Sequence, residues 1–174
     1  LVYHGIDERY PHASYRHHKF LLEGARDLEK EAADMGVDYL LHVSRKGHRQ
    51  PVLKLLSEDA AVIVTDLVDL DPWSDWSDAI AKMRTLIEVD AHCVLPRQVF
   101  GRSVDRPFKF KNSTKRMINA RKGVNWPVCD VPITRMSELY DPPFAPVSAH
   151  RELERDGGVQ LLSQCEIDPT VMPV

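Results

Sequence analysis

Residues Ala60, Ala61, Val62, Ile63 and Val64, closed by Thr65 and Asp66, form a near-continuous apolar run that constrains the fold more than any other segment. A half-exposed strand alternates apolar and polar side chains; a strand apolar at consecutive positions is expected to be covered on both faces, as in parallel sheets. Parallel neighbours in turn require long crossovers, usually helices.

The rest of the chain supplies those crossovers. Residues 1–6 are a short apolar strand opening into the turn Asp7, Glu8, Arg9. From Tyr15 to Met35, Phe20, Leu21, Gly24, Ala25, Leu28, Ala32 and Met35 recur at helical spacing, and Gly36 supplies the stop. Residues 37–43 are the next strand, 44–51 a loop and 52–57 a short helix; Pro72 opens a helix reaching about residue 84, and 85–89 form a further strand. This βαβαβαβ order predicts an α/β fold: a Rossmann-like open parallel sheet with helices on both faces and right-handed crossovers.

Beyond Pro96 the pattern loosens. A helix is predicted over 113–122, capped by Ser113 and stopped by Gly123. Seven of the twelve prolines follow Trp126, so 127–174 reads as a Pro-rich extended tail with one short helix near 149–155, after an α/β domain over 1–126. No internal repeat is visible.

The net charge of −3 gives no overall basic excess for nucleic-acid binding, so any such contact needs a local patch. No apolar run approaches the roughly 20 residues of a membrane-spanning helix, and no secretory leader is evident, which points to the cytosol or nucleus. Cys93, Cys129 and Cys165 lack CxxC spacing and are expected as free thiols.

In open parallel sheets ligands bind outside the carboxyl ends of the strands. Asp7, Arg9, Ser44, Arg45, Asp66 and Asp90 stand at such ends and are the candidate cofactor-binding residues. Helix capping and loop solvation explain acidic residues there equally well. Catalytic residues are not identifiable, and GxGxxG and GxxxxGK[ST] loops are absent. His17 and His18 point about 100° apart on a helix and are poorly placed to share a metal; His92 and Cys93 face opposite ways in an extended chain. Trp73 and Trp76, at i and i+3, read as anchors of a helix on the sheet. Basic residues over 97–121, interleaved with Phe100, Phe108 and Phe110, suit either single-stranded nucleic acid or, more simply, a solvated linker or interdomain surface.

Several ordered stretches resemble one family. They are the Asp7 to Pro11 turn, the helix Arg16-His17-His18-Lys19-Phe20-Leu21-Leu22-Glu23-Gly24-Ala25-Arg26-Asp27-Leu28, the Val64-Thr65-Asp66 strand end, the Trp73 and Trp76 helix, and Val89-Asp90-Ala91-His92-Cys93-Val94-Leu95-Pro96. Together they resemble the N-terminal α/β domain of the photolyase–cryptochrome family, the class II DNA photolyases in particular. After Pro96 the sequence departs from that class. The resemblance implies an antenna chromophore, a deazaflavin or a folate, at the strand ends. FAD and the light-driven repair of DNA belong to a helical domain that these residues do not contain. A partner is implied accordingly: that helical domain, with DNA met through the assembly. The family's central strand, which carries an Asp-x-Arg motif, is also missing, so two half-sheets with unpaired edges and an exposed apolar seam are expected. Residues upstream of Leu1, a partner chain, or Val159 to Leu162 of the tail are the candidates to fill the gap. The alternative is a stand-alone small enzyme or nucleotide-binding module reusing the fold.

Overall fold

The computed structural model describes residues 1–125, 133, 135–136 and 140–173. Trp126, Cys129 and the expected boundary at 126/127 lie outside the described residues. Leu1–Leu56 and the described residues beyond 130 form one compact unit, and those from Ser57 to Asn125 a second.

In the first unit β1 (Val2–Ile6) and β2 (Tyr39–Val43) pair in parallel, with Val2 opposite Tyr39 and Ile6 opposite Val43. Helix α1 (Tyr15–Met35) is the crossover, with the bounds its periodicity predicts. Gly36 ends it at φ 72°, and the amides of Gly36 and Val37 bond the carbonyls of Ala33 and Ala32. At the other end the orphan amides of Tyr15, Arg16 and His17 are satisfied, and His18 makes the first bond within the helix. Tyr15 donates to the Asp168 carbonyl at 2.9 Å, Arg16 to Val171 at 3.0 Å, His17 to the Ser14 hydroxyl at 3.3 Å and His18 to the Ser14 carbonyl at 2.9 Å.

Leu22 and Ala25 of α1 pack with Ile6, Leu41, Val43, Ala149 and Leu161 on one face of this sheet. The opposite face holds Leu40, Phe144 and Val52 of α2 (Val52–Asp59), with Tyr3, Leu56 and Met136 against them. Both faces are therefore covered, as a parallel pair requires.

The C-terminal residues build much of that cover. The helix expected near 149–155 is α6 (Ala149–Asp156). Val159–Leu162, a candidate strand by its apolar character, is instead the short helix α7, with Leu161 and Leu162 buried. Gly157 and Gly158, at φ 70° and 81°, reverse the chain there, and a Cβ on Gly158 would stand 2.7 Å from Leu22. Only glycine lets α7 approach α1 so closely. The Val147 amide also bonds the Leu41 carbonyl at 2.9 Å, on the edge of β2 away from β1.

In the second unit β3 (Ile63–Asp66) and β4 (Leu86–Val89) pair in parallel, with Ile63 opposite Leu86. Helix α3 (Trp73–Ala81) buries Ile80, while Trp73 and Trp76 meet edge to face at 6.3 Å and stay partly exposed. Ile80, more than the tryptophans, is the anchor. Arg84 donates to the carbonyls of Ser57 and Glu58 at 2.7 and 2.6 Å. Helix α4 (Arg97–Phe100) precedes α5 (Pro107–Arg121), which starts six residues before the Ser113 expected to cap it. Pro107 fits the first helical position, and the Ser113 hydroxyl donates back to the Lys109 carbonyl at 2.7 Å from inside the helix.

The fold is α/β, but its strands form two separate two-stranded parallel sheets among the described residues. The apolar run that reads as buried on both faces is not: Val64 is 63% exposed. The Ile63 and Leu67 amides bond the carbonyls of Thr85 and Val89. By alternation Val64 and Asp66 present their backbone groups to the other side, where no strand is paired. No described helix is long and apolar enough to cross a membrane.

If the C-terminal helices belong to the first unit's core, Leu162→Ala costs about 2–5 kcal/mol, in the range expected for Leu22→Ala. Val159→Ala, at an exposed position of the same helix, changes stability by about 0.5 kcal/mol or less. Urea unfolding of the three variants checks this.

Candidate functional site

Of the six residues at strand ends, Asp7, Arg9, Ser44 and Arg45 lie in the first unit, at the carboxyl ends of β1 and β2. They separate into an open pair and a buried pair. Ser44 continues the ladder, its amide bonding the Ile6 carbonyl at 2.8 Å, and its own carbonyl accepts from the Cys165 thiol at 3.7 Å. Arg45 is 8% exposed, with its guanidinium committed to the Val43 carbonyl at 2.8 Å and Gln164 at 3.3 Å. The bond to Gln164 fastens the C-terminal segment to the end of β2, and the pair uses two of the five guanidinium N–H donors.

Asp7 and Arg9 form a local ion pair. Arg9 Nη2 lies 2.6 Å from one carboxylate oxygen, and Nε and the backbone amide donate to the other at 3.0 and 2.9 Å. Partial burial pulls the Asp7 pKa upward, but the side-chain and backbone bonds from Arg9 prevail and hold it below the usual carboxylate range. The carboxylate is a permanent anion near neutrality, paired with an exposed guanidinium.

Beside this pair stands an aromatic group that strand patterning does not single out. The Tyr3 hydroxyl is 3.4 Å from His42 Nδ1, and His42 Nε2 is 3.1 Å from the His48 carbonyl. A carbonyl only accepts, so Nε2 carries the proton and Nδ1 accepts from the tyrosine. Phe144 meets both rings edge on, at 6.2 and 5.3 Å. Burial, and then the Asp7 charge, push the Tyr3 phenol up to about 12, so it remains a donor. Tyr3 is half-buried, and His42 and Phe144 behind it, 6% and 8% exposed, belong to the core, so the ion pair and the Tyr3 ring are what this end of the sheet presents. No activated nucleophile stands among them.

Glu8 escapes sequence reasoning because a charged residue in a turn reads as solvated. It is 5% exposed. One carboxylate oxygen accepts from Arg49 Nε and the other from the Glu166 amide, each at 2.5 Å, while Arg49 Nη2 reaches the Glu166 carboxylate at 2.9 Å. The end of β1, the loop after β2 and the C-terminal segment meet on that one carboxylate.

Asp66 and Asp90 end β3 and β4 in the second unit. Asp90 accepts from the Arg97 amide at 2.9 Å, and that bond, followed by those from Cys93 and the His92 amide, lowers its pKa against a smaller desolvation effect. It caps a turn. Arg97 also pairs with Asp69. Asp66 is more open, with its carboxylate 4.0 Å from His92 Nε2.

Burial lowers the pKa of His4, His18 and His42 in the first unit. An unfolded chain takes up protons on these imidazoles near their ordinary value, about 6.5, whereas the folded chain resists until lower pH. The unfolded state then binds more protons, so stability is full above about pH 6.5 and falls as the pH drops through the folded values. A urea midpoint lower at about pH 5.5 than at about pH 7.5 is the expected result.

No family model matches the chain. Ninety-eight of its residues, 55% of its length, are 33% identical to the deoxyribodipyrimidine photo-lyase of Methanothermobacter thermautotrophicus, and they cover 21% of that protein. The chain is thus similar to a photolyase over about half of its own length and spans about a fifth of that relative's.

Proposed function

We propose that this chain is the α/β portion of a photolyase-type protein and that it holds an antenna pigment for a separate flavin-bearing helical domain. The 33% identity to a photolyase over 98 residues carries the reading. Supporting it are the α/β element order and the parallel pairing of consecutive strands through a helix in each unit. FAD and the repair of pyrimidine dimers then reside in the helical domain, and DNA is met through the assembly.

The donor set at the ends of β1 and β2 suits a planar heteroaromatic ring with carbonyl and N–H edges, as in a deazaflavin or a folate. Arg9 and Asp7 supply a donor and an acceptor on an exposed rim, and half-buried Tyr3, backed by the buried His42 and Phe144, supplies the aromatic surface. Ser44 and Arg45 serve as scaffold for that rim. The bound pigment would contribute light absorption; the chain's residues bind and orient it.

The same proposal includes a strand from outside the two sheets. β1 pairs only with β2, and β3 only with β4, among the described residues. Each therefore leaves one edge for a strand contributed by the flavin-bearing part or by a partner chain, through main-chain hydrogen bonds.

Titrating the purified chain with a deazaflavin and with a folate, followed by pigment fluorescence, tests the reading. Saturable binding of one of them is expected, weakened about tenfold or more by Arg9→Ala, since a hydrogen bond to a charged group contributes about 1.5–3 kcal/mol. Failure of both pigments to bind, or an unchanged affinity in the variant, contradicts the assignment of this site.

A further inference from the structure

Charge is distributed very unevenly along the chain. Residues 97–122 hold nine Lys and Arg against one acid, Asp105, whereas the remainder holds 14 Lys and Arg against 25 Asp and Glu. A chain with an overall charge of −3 thus concentrates its positive charge on α4, α5 and the loop between them.

The early start of α5 arranges those charges. With the helix running from Pro107, the residues Phe108, Lys111, Asn112, Lys115, Arg116, Asn119 and Lys122 recur at i, i+3, i+4, i+7, i+8, i+11 and i+14, a single stripe. All seven are exposed. The opposite side holds Thr114, buried, with Met117 and Ile118 half-buried, while Phe110 there is 43% exposed. Asp105 pairs with Lys109 at 2.9 Å and lies 3.7 Å from Arg106. Lys111, Lys115, Arg116 and Lys122 have no carboxylate within ion-pair distance among the described residues. Four unneutralised cations on one helix face repel one another unless an anion covers them.

We infer that this outward stripe of α5 binds the backbone of single-stranded nucleic acid. Lys111 and Lys115 are about 6 Å apart along the axis and Lys122 about 16 Å from Lys111, so the cations track a linear polyanion. Asn112 and Asn119 between them can donate and accept toward phosphate or unpaired base edges. Phe108, 57% exposed at the start of the stripe, offers a stacking face. Phe100 and Phe110, the latter about 200° around the helix from Phe108, meet at 5.5 Å, with the Arg102 guanidinium 5.3 Å from the Phe100 ring centre. A membrane surface would call for an apolar outward face, and this one has a single aromatic side chain. The inference is independent of the pigment site, which lies in the other unit.

Anisotropy of a labelled single-stranded oligodeoxynucleotide, measured against salt concentration, reads it out. Four cations give a slope of log K on log salt of about −3. Lys111→Gln/Lys115→Gln/Lys122→Gln reduces the slope to about −1 and weakens low-salt binding at least tenfold. Phe108→Ala leaves the slope and lowers affinity for the single strand about fivefold or more, with little effect on a duplex. Lys30→Gln/Lys46→Gln/Lys82→Gln, which removes three exposed charges elsewhere, leaves binding unchanged. Should the first triple variant fail to fold, Arg116→Gln and the salt slope of the unaltered chain decide the matter. The inference is overturned if the chain does not bind the oligonucleotide at low salt, if the stripe variants bind as the unaltered chain does, or if polyglutamate or anionic vesicles compete as well as unlabelled oligonucleotide.

Discussion

Each strand inside a parallel sheet spends its backbone donors and acceptors on two neighbours, and among the described residues both sheets stop at two strands. That constraint governs much else. The run through Val62 and Val64, apolar enough for a covered central strand, lies against solvent. β1 is similarly open on the side of Tyr3 and Gly5, because Val2 and Ile6 direct their bonds to β2. An exposed apolar strand with a free edge invites pairing. A scaffold awaiting a strand is what the photolyase-type reading calls for.

The first unit shows how the chain closes itself where it can. Glu8 joins three segments through one buried carboxylate, and the chain beyond residue 140 returns to cover α1, cap its first amides and bond β2. Those uses engage Ser44, Arg45 and the N-terminus of α1 in internal bonds. Asp7, Arg9 and Tyr3 remain at the rim, so the proposed pigment site is what the internal bonding leaves over.

Legibility in the sequence follows the range of the interaction concerned. Helix α1 was readable in full because its periodicity, Ser14 and Gly36 are all local signals. The strands were readable in order and approximate position, since apolar runs between polar turns mark them. Glu8 was not, because its burial depends on Glu166, 158 residues away. Leu161 and Leu162 looked like strand residues; glycines at 157 and 158 and the surface of Leu22 decide for a helix. The start of α5 was misplaced because Ser113 is a good cap and Pro107 an equally good first residue, and local propensity does not choose between them. Among the strand-end residues, type and position were legible, but which side chains the fold had already engaged was not.

Residue-resolved hydrogen exchange of the second unit's backbone tests the open sheet edge most directly. An open edge requires the Val64 and Asp66 amides to exchange nearly as fast as those of a loop, while Ile63 and Leu67, bonded to β4, are protected. Protection of Val64 and Asp66 equal to that of Ile63 and Leu67 in the chain by itself would contradict it, and with it the proposal of a strand from outside.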